Sequence, residues 1–353
     1  MAFKTAAGYG NLPNGNFSPV IYSKKVQSAF RKTSIVEDIT NSDYFGEIAN
    51  FGDTVRIIKE PEITVQEYAR GTQVTPQDLT DDDFTLVVDK ANYFAFKIDD
   101  IEEAHSHVNF ESMASDRAGY RLKDQFDQEV LGYLSGFKQS ALSAVADTAN
   151  DVKSGTDPVA AGSDGLLSSM ELTHGDFASG GTPANSIAMS ASNASAVATP
   201  LAILNRMSRL LDQQNVDRDG RWVVVDPVFA EELNDENSKL LNNDFAGGQN
   251  AGDILRNGRV ISGLIRGFRV YMSNNLPSIG TGSSTIATSG SGSNFGVIVA
   301  GHDSAVATAS QVEKVETYRD NDSFADIVRG MHLYGRKILR PEALVRAHYN
   351  IAG

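Results

Sequence analysis

The chain contains no cysteine. That excludes disulfide frameworks and thiolate nucleophiles, and it fits a reducing compartment without requiring one. No stretch approaches the roughly 18 consecutive apolar residues that carry a helix across a bilayer. The leading residues MAFKTAAGYGNLPNGNF lack the apolar centre of a signal peptide. The expectation is a soluble product of a cytoplasm. Positive charge is also in short supply: 31 Lys and Arg face 45 Asp and Glu, for a formal net charge of −14. Such a chain is repelled by bulk nucleic acid and by anionic lipid, which argues against a sequence-specific DNA binder. A container that must not adhere to DNA suits this sign.

What is present is ordinary globular composition, 41% hydrophobic and 22% charged over 353 residues. That length allows two or three domains and a large core. No internal repeat of fixed period is visible. The longest helical pattern runs from Asn109 to Leu142. Leu122, Phe126, Val130, Leu134 and Phe137 recur every three or four residues, and charged residues including Asp116, Lys123, Asp124 and Asp127 interleave with them. Asn109 is the expected N-cap, with Glu111 in the first turn. At about 1.5 Å per residue such a helix spans roughly 50 Å, so it reads as a beam across which other elements lie.

Residues 1–50 have little periodicity and read as an extended arm with a short helix near Lys24 to Phe30. Residues 53–99 read as two long strands. Val55, Ile57, Ile63 and Val65 share a side of the first, with Pro61 marking an edge or interruption. Phe84, Leu86, Val88, Phe94, Phe96 and Ile98 share the parity of the second, broken by Lys90 and Asn92. The connection from Tyr68 to Asp83 carries Arg70, Gly71, Pro76 and the acidic run Asp81, Asp82, Asp83. A hairpin with so long a polar tip reads either as an arm lying on a neighbour or as a protruding loop. Residues 151–199 are rich in Gly, Ser, Ala and Thr and read mostly as loop, with one strand near Ile187. Thr199 and Pro200 open a helix with the stripe Ile203, Leu204, Met207, Leu210 and Leu211. Arg221 to Asp226 reads as a buried strand and Val228 to Leu233 as a short helix. Further strands are expected in 254–276, from Phe295 to Ala300, from Ser304 to Tyr318, from Ile327 to Leu339 and from Leu344 to Tyr349, with 278–294 a flexible loop. The class is α+β.

Candidate chemistry is weak throughout. Gly330 to Lys337 imitates a phosphate loop, but Arg336 stands where Lys is needed and the segment lies in a strand pattern. Asn215, Asp217, Asp219, Gly220 and Asp226 occupy positions 1, 3, 5, 6 and 12 of a calcium loop. Asp226 is too short for the usual bidentate ligand, and a helix-turn-strand connection explains the same residues. His105 and His107 have no third ligand near them in sequence. Gly301-His302-Asp303-Ser304 places triad residue types side by side, whereas a triad assembles in space. The acidic groups Asp99, Asp100, Glu102 and Glu103 read as a solvated face. No cofactor is expected. The features that remain, arms, a beam and loops, are those of an assembly subunit.

The order of these elements resembles a tailed-bacteriophage major capsid protein with the Hong Kong 97-type fold. The segments that carry the resemblance are PVIYSKKVQSAFRKTSIVEDITN with FGDTVRI, DKANYFAFKIDDIEEA, the long helix, NVDRDGRWVVVDPVFAEEL, NGRVISGLIRGFRVYMSNNLP, VIVAGHDSAVATASQVEKVETYR and DIVRGMHLYGRKILRPEAL. It implies an N-terminal arm over 1–50, an extended hairpin over 51–104, and a spine helix over 105–155 that with 301–340 forms a peripheral domain. It further implies a flexible region over 156–198 and an axial domain from 199–300 with 341–353. The implied function is self-assembly as hexamers and pentamers into an icosahedral head around double-stranded DNA, without enzymatic activity. The implied partners are copies of itself together with portal, scaffold and decoration proteins. Inter-subunit contacts are expected at Lys24, Lys25, Arg70, Asp81, Asp82 and Asp83. Three other readings compete: an encapsulin-like nanocompartment shell that holds a cargo enzyme, a calcium-binding or hydrolytic protein using Asn215 to Asp226, and a phage decoration or tail protein.

Overall fold

The computed structural model describes residues 34–41, 54–58, 63–71, 73, 76–78, 83–100, 110–135, 166–177, 187–190, 197–234, 264–276 and 296–351. The long helix is α2, Phe110–Ser135, preceded by the four-residue α1, Val36–Ile39. At about 1.5 Å per residue α2 extends for roughly 39 Å. Phe126, Val130, Leu131, Tyr133 and Leu134 are buried along it. Asn109 and residues 136–142 lie outside the described residues.

Two sheets lie against α2. The first has the order β3-β10-β9, formed by Lys90–Asp99, Ala325–Ile338 and Val306–Arg319 in antiparallel register. Its inner side carries Asn92, Phe94, Phe96 and Ile98, the alternating face that the sequence marks out. Asn92 belongs on that face: its Nδ2 donates to the Tyr334 hydroxyl at 3.1 Å. Phe126 of α2 meets the Tyr334 ring edge-on, at 5.0 Å between centroids. Arg336 lies over the Tyr133 ring and donates to Glu129 Oε2 at 3.1 Å. The helix is thereby fastened to this sheet by rings and by one half-buried ion pair.

The second sheet has the order β4-β11-β8-β6-β7, from Glu171–Leu172, Leu344–Ile351, Gly296–His302, Arg221–Val225 and Arg269–Met272, with β5, Ile187–Met189, also on β11. Every residue of β6 is buried. Helix α3, Pro200–Gln213, packs on this sheet through Ile203, Leu204, Met207 and Leu211, and the Thr199 hydroxyl accepts the Ala202 amide at 3.3 Å. Helix α4, Pro227–Leu233, follows β6 directly. One continuous core runs from α1 and α2 into this sheet.

Two expectations change. The span read mostly as loop contributes β4 as well as β5, the strand expected near Ile187, and the two pair in parallel with β11 at Arg346–Ala347 and at Tyr349–Ile351. Strands of two and three residues are too short to show a period. The second long strand of 53–99 is in fact two. β2, Asp83–Val87, pairs with β1, Thr54–Ile58, while β3 joins the other sheet. The chain switches partner at Val88–Asp89, where the Val87 carbonyl presses on Gly335. A Cβ there would stand 2.3 Å from that oxygen.

Candidate assembly surfaces

The hairpin is the most exposed part of the described chain. β1 and β2 form an isolated two-stranded ribbon with Leu86 and Val88 buried at its base against Ala307, Ala309 and Leu339. Between β1 and β2 none of the described residues lies in a sheet. Ile63, Val65 and Tyr68 stand 67%, 92% and 63% exposed, so the side that Ile63 and Val65 were expected to bury is bare. Arg70 sits at an exposed turn that ends on Gly71, φ +92°. Asp83 pairs through its backbone with Ile58. Asp81, Asp82, Lys24, Lys25, His105 and His107 lie outside the described residues. A second apolar patch lies on the outer side of the three-stranded sheet, where Tyr93 pairs in register with Met331 and stands 80% exposed. Beside it Arg329 bonds Glu316 at 2.9 Å and covers the Tyr318 ring.

The root of the leading segment, by contrast, is fixed. α1 has no side-chain cap of its own at Ile35. Asp127 of α2 supplies one: its carboxylate accepts the Val36 amide at 3.1 Å, the Ile35 amide at 3.3 Å and the Ser34 hydroxyl at 2.8 Å. Asn275 ties the same place to the second sheet, donating to Asp124 at 3.0 Å and to Asp127 at 3.5 Å. Burial pushes the Asp127 carboxyl up, and the Ser34, Val36, Ile35 and Asn275 bonds pull it part of the way back. Past α1, Asn41 bridges Ala307 and the Thr40 hydroxyl meets that of Thr308 at 3.0 Å. Residues 34–41 are therefore held between α2 and β9.

The residues that imitate reactive sites have structural partners. Asn215, φ +57°, and Gly220, φ +81°, shape the turn between α3 and β6. The carbonyls of Val216 and Asp217 face inward to the buried Arg221 guanidinium, at 2.6 and 2.7 Å, and Asp212 accepts from it at 2.8 Å. Asp217 caps the Asp219 amide at 3.3 Å. Asp226 is the N-cap of α4, accepting from Phe229 N–H at 3.2 Å and from the Tyr349 hydroxyl. Asp226, which would have to serve as the twelfth-position ligand of a calcium loop, is thus engaged as the cap of α4. Among the described residues no group of three or more His, Asp or Glu converges on a metal position. The Asp303 carboxylate faces Arg269, not His302, whose Nε2 donates to the Asp219 carbonyl at 2.9 Å. Gly330 and Gly335 serve β10 as close-packing positions, under the Phe94 ring and the Val87 carbonyl.

A family model described as phage capsid protein matches residues 59–347. No curated protein matches the chain in sequence. Among solved structures it is similar to one of Mycobacterium phage Che8, 25% identical, with a TM-score of 0.68 over 94% of this chain and 97% of that one. It is also similar to the capsid of Cyanophage P-SCSP1u, 20% identical, with a TM-score of 0.62 over 96% of this chain and 94% of that one. The capsid of Ralstonia phage GP4 shares 13% identity and a TM-score of 0.63 over 99% of this chain and 98% of that one. The last two likenesses concern the fold.

Proposed function

The chain belongs to the phage capsid protein family and is a major capsid protein of the virion, and we propose that its copies close as hexamers and pentamers into an icosahedral head of the Hong Kong 97 type around double-stranded DNA. The observation that carries this reading is the hairpin: Ile63, Val65 and Tyr68 stand exposed beyond a two-stranded ribbon, with no other described part of the chain over them. Two strands alone are marginal in water, and closed assembly covers exposed edges and apolar side chains.

In this reading α2 and the three-stranded sheet make the peripheral domain, and the six-stranded sheet makes the axial domain near the capsomer centre. The leading arm and the hairpin reach neighbours, with contacts at Lys24, Lys25, Arg70, Asp81, Asp82 and Asp83. Portal, scaffold and decoration proteins complete the particle, which is made in the host cytoplasm. The formal charge of −14 supports enclosure of DNA without adhesion to it. The role is structural, without catalysis or cofactor. Negative-stain microscopy of the purified protein tests the reading: closed shells of hexamers and pentamers are expected, and a monodisperse monomer at every concentration would contradict it.

A further inference from the structure

We propose that β9 pairs antiparallel with β9 of a second copy, edge to edge about a two-fold axis at Val315, and that this strand contact joins one capsomer to the next. The inference rests on the shell reading above and adds to it one contact of stated register.

β9 is an edge strand of 14 residues, with β10 on one side only. On its other side Asn41 covers the start: its amide donates to the Val306 carbonyl at 2.8 Å, and its carbonyl accepts the Thr308 amide at 3.1 Å. A bulge then shifts the register with β10 opposite Leu333 and Tyr334 and leaves Gln311 without a partner position. Beyond the bulge no described strand or bridge pairs with the outer side of β9. Val315, Thr317, Tyr318 and Arg319 are exposed there, Val315 to 60%. At the far end the Asp320 amide donates to the Ala325 carbonyl at 3.0 Å. By alternation the even positions from 312 to 318 bond to β10, and the backbone groups of Glu313, Val315, Thr317 and Arg319 point outward. An open row of this kind is a template for another strand.

The order of residues along this edge fits a second copy of itself. Outward backbone groups meet only if the two strands pair about a residue, not between two residues. Centred on Glu313, Lys314 or Glu316, the pair would set like charges directly opposite each other, which destabilises it. Centres nearer the ends run the overlap into the bulge or past Arg319, where β9 stops. Centred on Val315, the two valines meet, and position 314, a lysine, stands opposite Glu316 of the second copy, twice by symmetry. Position 313 then faces Thr317, and the three outward pairs exchange about six backbone hydrogen bonds. Such a contact offers the same surface from both copies, whereas hexamer and pentamer rings join unlike surfaces by rotation. The self-pairing edge therefore belongs between capsomers, at the two-fold axes of a shell, and not around one capsomer.

The chain has no cysteine, so Val315→Cys places a single thiol at the axis. Facing residues of a hydrogen-bonded antiparallel pair stand about 5.5 Å apart at Cα, within reach of a disulfide. Oxidised Val315→Cys shells are expected to run as covalent dimers in non-reducing denaturing electrophoresis. Thr317→Cys thiols would stand about 14 Å apart in this register, and those shells are expected to run as monomers. Val315→Pro removes an outward amide that β10 does not use, a place where an edge strand tolerates proline. Its circular dichroism is expected to match the wild type while the yield of sedimenting shells falls at least tenfold. Monomers from oxidised Val315→Cys shells, or equal dimers from Thr317→Cys, would overturn the proposal, as would normal shells from folded Val315→Pro. Lost shells from Val315→Pro without dimers from Val315→Cys would give the edge to a different strand and overturn self-pairing. If Val315→Pro does not fold, the two cysteine variants decide alone. Dimers from Val315→Cys in a chain that forms no shells would keep the strand contact and remove the shell reading instead.

Discussion

The Asp127 carboxylate, in the middle of α2, accepts the Val36 amide at 3.1 Å across 91 positions of sequence. A helix N-terminus leaves its first amides without intrahelical partners, and here a distant side chain takes them. The cap is thus a tertiary contact, and it sets where the leading segment leaves the body.

Asp127→Ala is expected to release that root. The Ile35 and Val36 amides and the Asn275 amide group would each lose an acceptor, at about 1–3 kcal/mol for a buried donor left unpaired. Hydrogen exchange should accelerate at residues 34–36, and limited proteolysis near Ser34 should become fast while α2 stays protected. Unchanged exchange at Ile35 and Val36 would show that other contacts hold the segment.

Gly335→Ala is expected to damage the fold more than Gly330→Ala. At Gly335 a new Cβ meets the Val87 carbonyl at 2.3 Å, and backbone cannot step aside without breaking the β2–β3 switch. At Gly330 the obstacle is the Phe94 ring, also at 2.3 Å, but that ring is only half-buried and can swing. Overpacking of this kind costs typically about 1–3 kcal/mol. Thermal melts of the two variants give the order; the reverse order would contradict the account of the switch.

His348 is expected to make the body acid-sensitive. It is buried on β11, its Nε2 facing the Ser135 carbonyl at 3.3 Å. Burial, and then the Arg346 charge, push its pKa down to about 3. The unfolded chain takes up a proton near pH 6.5 and the folded one does not, so stability falls as pH drops from about 6.5 toward 3. Asp127 acts with the opposite sign. Its raised pKa means that ionising it in place costs stability as pH rises through 3.8. His348→Gln keeps a donor for Ser135, and its melting temperature should depend less on pH between 6.5 and 3 than that of the wild type. Parallel curves would exclude His348 as the source.

Arg221 should matter more to the 215–226 turn than any added ion. Arg221→Met strips donors from Asp212, Val216 and Asp217, and losing hydrogen bonds to a charged group costs about 1.5–3 kcal/mol. Millimolar calcium is expected to leave the melting temperature of both proteins unchanged. A rise of several degrees in either would mean that the acidic residues of this turn do bind the ion.

Local signals were readable wherever one element determines its own form. Thr199-Pro200 with the stripe through Leu211, the β-branched run of β6, and the alternation of Phe94, Phe96 and Ile98 all appear in the structure as their spacing predicts. Asp124 and Asp127 were read as polar neighbours of the α2 stripe, yet both are buried. A signal was available: Asp127 stands three and four residues before Val130 and Leu131, within the apolar face. Its partners, Val36 and Asn275, are 91 and 148 residues away, and no local pattern encodes such pairings. Ile63 and Val65 failed in the other direction. Their alternation suggests a half-buried strand, but no other described part of the chain covers that side. Alternation records that a face is to be buried, not which molecule buries it.

The central claim is that the hairpin serves assembly and not the fold of its own chain. It is tested most directly by deleting Tyr68 to Asp83 and joining the ends with a short Gly-Ser turn. Sedimentation velocity of this chain beside the wild type is the measurement, with far-ultraviolet circular dichroism to confirm folding. The account predicts a folded body that sediments as small species while the wild type runs as shells. Shells of normal size and yield from the deleted chain would contradict it.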